Sequence, residues 1–327
     1  MKQISTVLVL VAGMVADMQT IAAAEGFPVK VHHVWGDTIV PAAPKRIVSI
    51  GFNDQDFLYA LGKAPVGVTE WWGDQPYATW PWAEPARRAL GADPAVHKGD
   101  LNLEWVLTLK PDLIVATYSD IDAETYKSLS AIAPTIAYPA DFPVWSAPWQ
   151  EQLRLIDQAV SGDTSHAAAI IGELDEATAA IRLRYPQFSG KTATMADLRE
   201  GQFTLWNNAS APTRFLTSLG FTFPAELDAL SDQTGWIYLS FEQAALLDLD
   251  VVVWPNGKRD EIEAIPTFSR LRLSREGRSI WPDPADPTLS SALWFQTPLS
   301  IRYALDRFAP LLAGALDADP ASITPAN

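Results

Sequence analysis

A short segment of the chain occurs twice, 138 residues apart. "LNLEWVLTLKPDLIV" runs from Leu101 to Val115, and "LSFEQAALLDLDVVV" runs from Leu239 to Val253. The aligned copies share leucine at the first and ninth positions, glutamate at the fourth, aspartate at the twelfth and valine at the last. Each copy has the pattern of a short helix followed by an apolar strand. A chain that carries this unit twice is predicted to contain two similar α/β lobes, one around each copy.

Strand and helix patterns alternate on both sides of the chain's midpoint. The predicted strands are Arg46–Ile50, Val66–Thr69, Leu113–Thr117, Thr135–Tyr138, Thr192–Ala196, Phe203–Trp206 and Val251–Trp254. The predicted helices are one capped by Asn53 or Asp54, then Asn102–Leu109, Tyr126–Ile132, Pro212–Leu219, Phe241–Leu247 and Leu299–Leu316. This alternation predicts mainly parallel sheets with helices on their faces.

The middle of the chain predicts one long helix. Asp163 or Thr164 can cap it, apolar residues recur at helical spacing as far as Tyr185, and Pro186 ends it. About 22 residues at roughly 1.5 Å each make a rod of about 33 Å, which is too stiff for a loose linker. The prediction is an N-terminal lobe over 25–147, a helical region over 148–187 and a C-terminal lobe over 188–327. The cleft between the lobes is the expected ligand site, at the carboxyl ends of the strands.

The net charge and the first residues of the chain restrict its possible partners and its cellular location. The net charge of −15 argues against nucleic acid and against an anionic membrane surface as partners. Lys2, the apolar stretch Ile4–Ala16 and the small residues Ala22–Ala24 predict a signal peptide over 1–24, cleaved before Glu25. No later stretch is long and apolar enough to predict a membrane span. The chain has no cysteine, so disulfides and a lipid-anchored cysteine are excluded, and we expect a soluble monomer in the periplasm.

Four segments together resemble a known family. They are "PKRIVSIG" at 44–51, "NLEWVLTLKPDLIVAT" at 102–117, "LSFEQAALLDLDVVVW" at 239–254 and "TPLSIRYALDRFAPLLAGAL" at 297–316. With the export signal and central helix, they resemble the periplasmic substrate-binding proteins of ABC importers for iron–siderophore complexes and vitamin B12. Within that family the siderophore branch is most similar. The resemblance implies a receptor, not an enzyme, that delivers a ferric siderophore to an inner-membrane permease. The iron would arrive already chelated, so no cofactor or protein metal ligand is expected.

The repeated glutamates have two interpretations. Glu104 and Glu242 lie in the first turn of a predicted helix, where an acidic side chain gains about 0.3–1 kcal/mol from the helix dipole. That accounts for either glutamate alone. In the family that the chain resembles, a glutamate on the outer edge of each lobe contacts arginines of the permease. Carried over by position, the resemblance implies that Glu104 and Glu242 dock the receptor on its importer.

Aromatic and cationic side chains are the candidates for holding the ligand. Several aromatic residues follow predicted strands or precede the second repeat, although single large aromatics more often pack in cores. The candidates are Trp71, Trp72, Tyr118, Trp236 and Tyr238, with Trp294 and Phe295 in a predicted loop before the last helix. Arg199, on a predicted cleft loop after the strand "TATMA", is the favoured cation, since arginine can clamp two oxygens. The resemblance places Lys98 where hydroxamate binders carry an arginine.

Other ligands and an enzymatic activity give alternative hypotheses. A free-metal receptor needs clustered ligands, whereas the four histidines His32, His33, His97 and His166 form no such cluster in the sequence. Haem remains open, because Tyr77 or Tyr118 could ligate its iron. Cobalamin also remains open.

A metal-dependent hydrolase would use Asp54 and Asp56, which follow a strand. The favoured interpretation of this acidic pair is a helix N-terminus. The chain contains no nucleophile-elbow, phosphate-loop or zinc-protease motif.

Overall fold

The N-terminal lobe is built on a parallel sheet. The computed structural model describes residues 26–317, so the predicted signal peptide over 1–24 lies outside the described residues. The sheet is five-stranded, in the order β5-β4-β3-β6-β7, and every neighbouring pair is parallel. Its elements are β3 (Ile47–Ser49), α1 (Asp54–Ala60), β4 (Gly67–Thr69), α2 (Glu84–Ala89), β5 (Ala95–His97), α3 (Leu103–Thr108), β6 (Leu113–Ala116), α4 (Ala123–Ser130) and β7 (Thr135–Ala137). An antiparallel hairpin, β1 (Val29–His33) and β2 (Gly36–Val40), precedes them.

The C-terminal lobe has a mixed sheet in the order β10-β9-β8-β11-β12. Its elements are β8 (Ala193–Arg199), β9 (Gln202–Trp206), α7 (Ala211–Ser218), α8 (Ala225–Asp228), β10 (Trp236–Leu239), β11 (Val251–Val253), α9 (Arg259–Glu263), α10 (Arg272–Arg275), β12 (Ser279–Ile280), α11 (Thr288–Phe295) and α12 (Pro298–Leu316). Strands β8, β11 and β12 are parallel, whereas β9 runs antiparallel to both of its neighbours. The expectation of two α/β lobes with mainly parallel sheets is therefore confirmed.

Two helices lie between the lobes in the chain. The helix α5 (Trp149–Ser161) ends at Gly162, whose φ of 88° suits glycine, and α6 (Ser165–Arg184) follows at once. Helix α6 has 20 residues, close to the predicted 22, and spans about 30 Å. The sequence pattern located α6 correctly but did not resolve α5 as a separate helix.

The repeated aspartate has the same structural role in both lobes. Asp112 precedes β6 and accepts hydrogen bonds from the backbone N–H groups of Lys45 and Arg46, at 2.8 Å each, just before β3. Asp250 precedes β11 and accepts from the N–H of Thr192, at 3.0 Å, just before β8. Each carboxylate thus ties the strand of its own copy to the neighbouring strand of the sheet, which is β3 in the N-terminal lobe and β8 in the C-terminal lobe. This shared contact gives a physical reason for the aspartate in both copies.

A buried contact that we call the interlobe seam joins α1 of the N-terminal lobe to the α11–α12 corner. Asn53 Nδ2 donates to the carbonyl of Phe295 at 2.9 Å. Asp56 accepts from Thr297 Oγ1 at 2.9 Å and from Trp82 Nε1 at 2.6 Å. One hydrophobic cluster also includes Trp80 and Trp82 together with residues of α11 and α12. Because a continuous core crosses the seam, we expect ligand binding to close the lobes by only a few degrees.

Two elements differ from what the sequence pattern indicates. The proline and tryptophan content of "EWWGDQPYATWPWAEPA", at 70–86, indicates a loop, but α2 begins inside this segment at Glu84, and Pro76–Ala78 forms a 3₁₀ turn. The second repeat's helix, Phe241–Leu247, is a 3₁₀ helix and not an α-helix. Proline and tryptophan are typical of loops, so the composition of the first segment does not predict α2. Periodicity over seven residues cannot distinguish a 3₁₀ helix from an α-helix.

Candidate ligand-binding cleft

Four aromatic rings from the N-terminal lobe form one wall of the cleft. Phe52 follows β3 and Tyr118 follows β6, the two strands at which the strand order reverses, and Trp71 follows β4. Ring centroids are 5.8 Å apart for Phe52 and Trp71 and 5.5 Å apart for Trp71 and Tyr118. Trp145 completes the group at 4.8 Å from Tyr118 and 5.9 Å from Phe52. This N-lobe aromatic group lies where parallel α/β sheets bind ligands.

A second set of rings lies on one face of the antiparallel strands of the other lobe. Trp206 and Trp236 are partners across β9 and β10, with centroids 4.7 Å apart, and Tyr238 follows two residues later on the same face. The Arg199 guanidinium lies 5.1 Å from the Trp236 centroid and 5.7 Å from that of Trp206. The opposite face of these strands is packed into the lobe's core. This C-lobe aromatic group therefore presents flat apolar surface and one cation.

The end of α11 forms the floor between the two groups. The Trp294 ring is 4.4 Å from Trp206, and the Phe295 ring is 5.1 Å from Trp71, so consecutive residues contact opposite walls. Gln296 follows with φ of 47°, a left-handed conformation that non-glycine residues seldom adopt. A small cavity at the floor is lined by side chains from both lobes, among them Tyr118, Trp145, Arg214, Trp294 and Gln296.

Arg214 is a floor residue that the sequence analysis missed. Its guanidinium donates to the backbone carbonyls of Ser146, at 3.1 Å, and Ala209. Burial lowers the pKa of Arg214 from its ordinary value, and nearby Tyr118 partly opposes that shift. Within residues 26–317 no carboxylate lies within 4 Å of it. A single arginine in a helix has no periodic pattern that would mark it in the sequence. Trp206 was also missed, although it lies at the end of a strand, as Trp236 does.

A larger cavity of about 450 Å³ lies behind the floor, against α6. Its lining includes Arg182 and Leu174 of α6 and shares Trp149, Arg214 and Gln296 with the floor. These three shared side chains therefore separate the aromatic cleft from the space next to the interlobe helix.

The two predicted cations, Lys98 and Arg199, have surroundings that the sequence did not indicate. Lys98, which the resemblance places where hydroxamate binders carry an arginine, has its ammonium in contact with Glu70 at 2.9 Å and Asp74 at 2.5 Å. Hydrogen bonds to Asp74 and Glu70 raise the pKa of Lys98, so it is charged but compensated. Arg199 is the last residue of β8 and not a loop residue, because β8 extends beyond "TATMA" to pair with β9.

The predicted loop before the last helix is in fact helix α11, which contains Trp294 and Phe295. Phe295 is buried and packs against Trp80 and Trp82 of the seam as well as Trp71. Trp72 also points away from the cleft, since its Nε1 donates to Ser291 Oγ at 3.3 Å. A ligand-binding role for these side chains stays a prediction.

The two repeated glutamates are exposed on corresponding helix starts. Asn102 Oδ1 accepts from the N–H of Trp105 at 3.0 Å and caps α3, which begins next to Glu104. The N–H of Ser240 donates to Gln243 Oε1 at 3.0 Å, as the capping-box pattern predicts, next to Glu242. Local capping is thus present in both lobes, and both carboxylates also face solvent. The permease-docking role stays a prediction.

The carboxylates of the hydrolase hypothesis are buried inside the protein. Asp54 accepts from the N–H and hydroxyl of Thr117, and Asp56 lies in the interlobe seam. Burial raises the pKa of both to about 6. Neither carboxylate is exposed to a substrate, which removes the geometric basis for a metal-dependent hydrolase.

His166 does not stand alone, contrary to its isolation in the sequence. Its Nδ1 lies 3.4 Å from Asp157 Oδ1, and Asp163 is close by. This group lies at the start of α6, where Asp157 also accepts from the N–H of Ala167 at 2.8 Å.

No helix within the described part of the chain combines the length and apolarity that a bilayer crossing requires.

Comparisons with known proteins agree with this architecture. A model of a periplasmic binding protein family matches residues 47–280. The probable siderophore-binding lipoprotein YfiY of Bacillus subtilis (strain 168) is 28% identical over 227 residues, 68% of this chain and 66% of that relative. The chain therefore covers slightly under two thirds of that relative's length.

Two solved structures are similar over most of the described chain. A periplasmic solute binding protein from Mycobacterium smegmatis has 35% identity and a TM-score of 0.77, covering 88% of this chain and 98% of that one. PiaA of Streptococcus pneumoniae TIGR4, solved in complex with ferrichrome, has a TM-score of 0.77 at 24% identity, covering 89% of this chain and 99% of that one. The latter likeness shows a shared fold.

Proposed function

Because the chain belongs to the periplasmic binding protein family, we propose that it captures a ferric siderophore between its lobes and delivers it to an ABC importer. The observation that carries the proposal is the aromatic cleft. Two groups of rings, one on each lobe, face the gap at the strand ends and meet at the floor formed by α11. A bulky, partly apolar ligand fits such walls, because stacked aromatic faces remove apolar area from water without demanding one fixed orientation.

The iron would reach the cleft already caged by the siderophore. The receptor then needs no metal ligands of its own and contacts only the outer oxygens and the organic shell. Arg214 at the floor and Arg199 on the C-lobe wall can donate to those oxygens in a bidentate way. The relative YfiY is described as siderophore-binding, and PiaA was solved with ferrichrome, which supports this ligand class.

Delivery requires a surface that the permease recognises while the ligand is held. Glu104 and Glu242 lie exposed at corresponding places on the two lobes and are the proposed contacts. Exposed carboxylates steer a basic partner and fix its register more than they add affinity. Export by the signal peptide over 1–24 would place the receptor in the periplasm next to an inner-membrane importer.

A fluorescence titration tests the ligand directly. Trp71, Trp206, Trp236 and Trp294 lie on the cleft's walls and floor, so an absorbing ferric complex bound there should quench tryptophan emission in a saturable way. The panel contains hydroxamate, catecholate and carboxylate ferric complexes, with haem and cobalamin as alternatives. No saturable quenching by any ferric siderophore would refute the proposal, and quenching by cobalamin alone would replace it.

Haem is disfavoured by the environment of the candidate tyrosines. Burial raises the pKa of Tyr118 to about 12, so forming the phenolate that ligates haem iron costs more there than at an exposed tyrosine. One face of the Tyr77 ring packs against the guanidinium of Arg87, 4.1 Å from the ring centroid. We therefore expect haem to bind more weakly than the preferred siderophore.

A further inference from the structure

The charged side chains of the C-lobe wall are compensated within the wall itself. Arg199 Nε donates to Asp197 Oδ2 at 2.8 Å, and the same oxygen accepts from Asn256 Nδ2. The ammonium of Lys258 donates to the carbonyl of Leu198 at 2.9 Å on this hairpin, whose turn also carries the exposed Glu200. Arg199 is therefore paired with Asp197, and, with Lys258 and Glu200 included, the wall carries two cations and two carboxylates and has no net charge.

The rim of the N-terminal lobe carries more negative than positive charge. Lys98 lies between Glu70 and Asp74, at 2.9 and 2.5 Å, so two carboxylates surround one ammonium. Glu70 immediately precedes Trp71 of the N-lobe aromatic group, and its Oε1 is buried without a hydrogen-bond partner. A ligand approaching this wall meets aromatic faces and an excess of one negative charge.

The floor supplies one cation without a carboxylate partner in the described chain. Arg214 is held by the carbonyls of Ser146, Ala147 and Ala209, whose dipoles offset part of its charge. Across the walls, rim and floor, the cations and carboxylates are equal in number. The cleft as a whole therefore offers hydrogen-bond donors but no net positive charge.

This balance discriminates between ferric complexes by their charge. Three hydroxamate groups each carry one negative charge, so their complex with Fe³⁺ is neutral. Three catecholate groups each carry two negative charges, so their complex is a trianion. A buried trianion needs several unpaired cations to replace its lost hydration, whereas a neutral complex needs apolar faces and a few donors.

From this charge balance we infer that the cleft selects neutral ferric complexes of the tris-hydroxamate kind and rejects trianionic tris-catecholate complexes. The inference rests on the proposed function and adds the charge class of the cargo. It depends on Asp197 and Glu70 keeping Arg199 and Lys98 compensated, and on Arg214 as a floor cation that no carboxylate pairs within residues 26–317 and that can donate to a neutral ligand's oxygens.

The direct test compares ferrichrome, a neutral tris-hydroxamate, with ferric enterobactin, a trianionic tris-catecholate, by tryptophan quenching at one ionic strength. We expect ferrichrome to bind at least tenfold more tightly. Equal or tighter binding of the trianion would overturn the inference and leave the proposed function intact. Absence of binding by both, and by a ferric carboxylate complex, would overturn the two together.

A double variant tests the cause of the selectivity. Asp197→Asn and Glu70→Gln keep side-chain shape while removing two compensating charges, which leaves Arg199 uncompensated and Lys98 with one carboxylate. Affinity for the trianion should rise at least tenfold, because each of the two removed charges, about 10 Å from a trianion in a water-like dielectric, is worth roughly eightfold. Affinity for ferrichrome should change less than twofold.

The matched control is Glu173→Gln with Glu176→Gln, which makes the same change in net charge on the exposed side of α6. It should alter neither affinity by more than twofold. A trianion affinity that rises equally in both double variants would show that global charge, and not compensation inside the cleft, sets the selectivity.

Discussion

The buried Asp56 of the interlobe seam should make stability depend on pH. Its Oδ2 accepts from Trp82 Nε1 and Thr297 Oγ1, while its Oδ1 is buried without a partner. Burial raises the pKa of Asp56 to about 6, despite those two donors, from about 3.9 in an unfolded chain. The folded protein therefore binds a proton that the unfolded chain has already lost between these two values.

The direction in which stability changes with pH follows from this difference in bound protons. Stability from the protonated carboxyl is fully present below about pH 4 and is lost as the pH rises through about 6. At 1.36 kcal/mol per pKa unit, a shift of about two units corresponds to about 3 kcal/mol. Asp56→Asn keeps the shape of the neutral acid and cannot ionise. Its free energy of unfolding relative to wild type should therefore rise by about 3 kcal/mol between pH 4 and pH 7.

Urea unfolding at intervals of half a pH unit, followed by tryptophan fluorescence, measures this difference. The exposed Asp306→Asn on α12 is the control and should show no such pH-dependent gain. Parallel stability curves for wild type and Asp56→Asn would refute the reasoning, because they would mean that Asp56 ionises in the seam without cost.

Three further predictions concern the seam, the floor and the docking surface. Phe295→Ala should lower the free energy of unfolding by about 3–5 kcal/mol and widen the lobe separation in solution scattering, whereas Phe268→Ala, inside the C-lobe core, should destabilise without widening. Arg214→Gln should weaken siderophore binding by about tenfold to a hundredfold at unchanged fold, as judged by circular dichroism, because a charged donor is worth about 1.5–3 kcal/mol. Glu104→Ala with Glu242→Ala should abolish siderophore uptake in cells while the dissociation constant stays within twofold; normal uptake would contradict the docking role.

Much of the architecture follows from local sequence patterns. The repeated helix–strand unit indicates two α/β lobes, and the helical spacing before Pro186 indicates the helix that joins them. Such elements depend on contacts between residues three or four positions apart, or on alternation along a strand, and both leave a periodic pattern in the chain. The sequence also indicates that aromatic residues gather at strand ends, as Tyr118 and Trp236 do.

The tertiary structure alone decided which of those candidates face the cleft and with what charge. Trp71 and Trp72 are adjacent in sequence, yet one joins the N-lobe aromatic group and the other donates to Ser291, 219 residues away. Lys98 is compensated by carboxylates that precede and follow those tryptophans. Such partners come from separate segments that the sheet order and the seam bring together. Local periodicity in the sequence therefore does not predict these contacts. The sequence by itself therefore determines the elements and the kind of site, and long-range packing determines the site's membership and its charge.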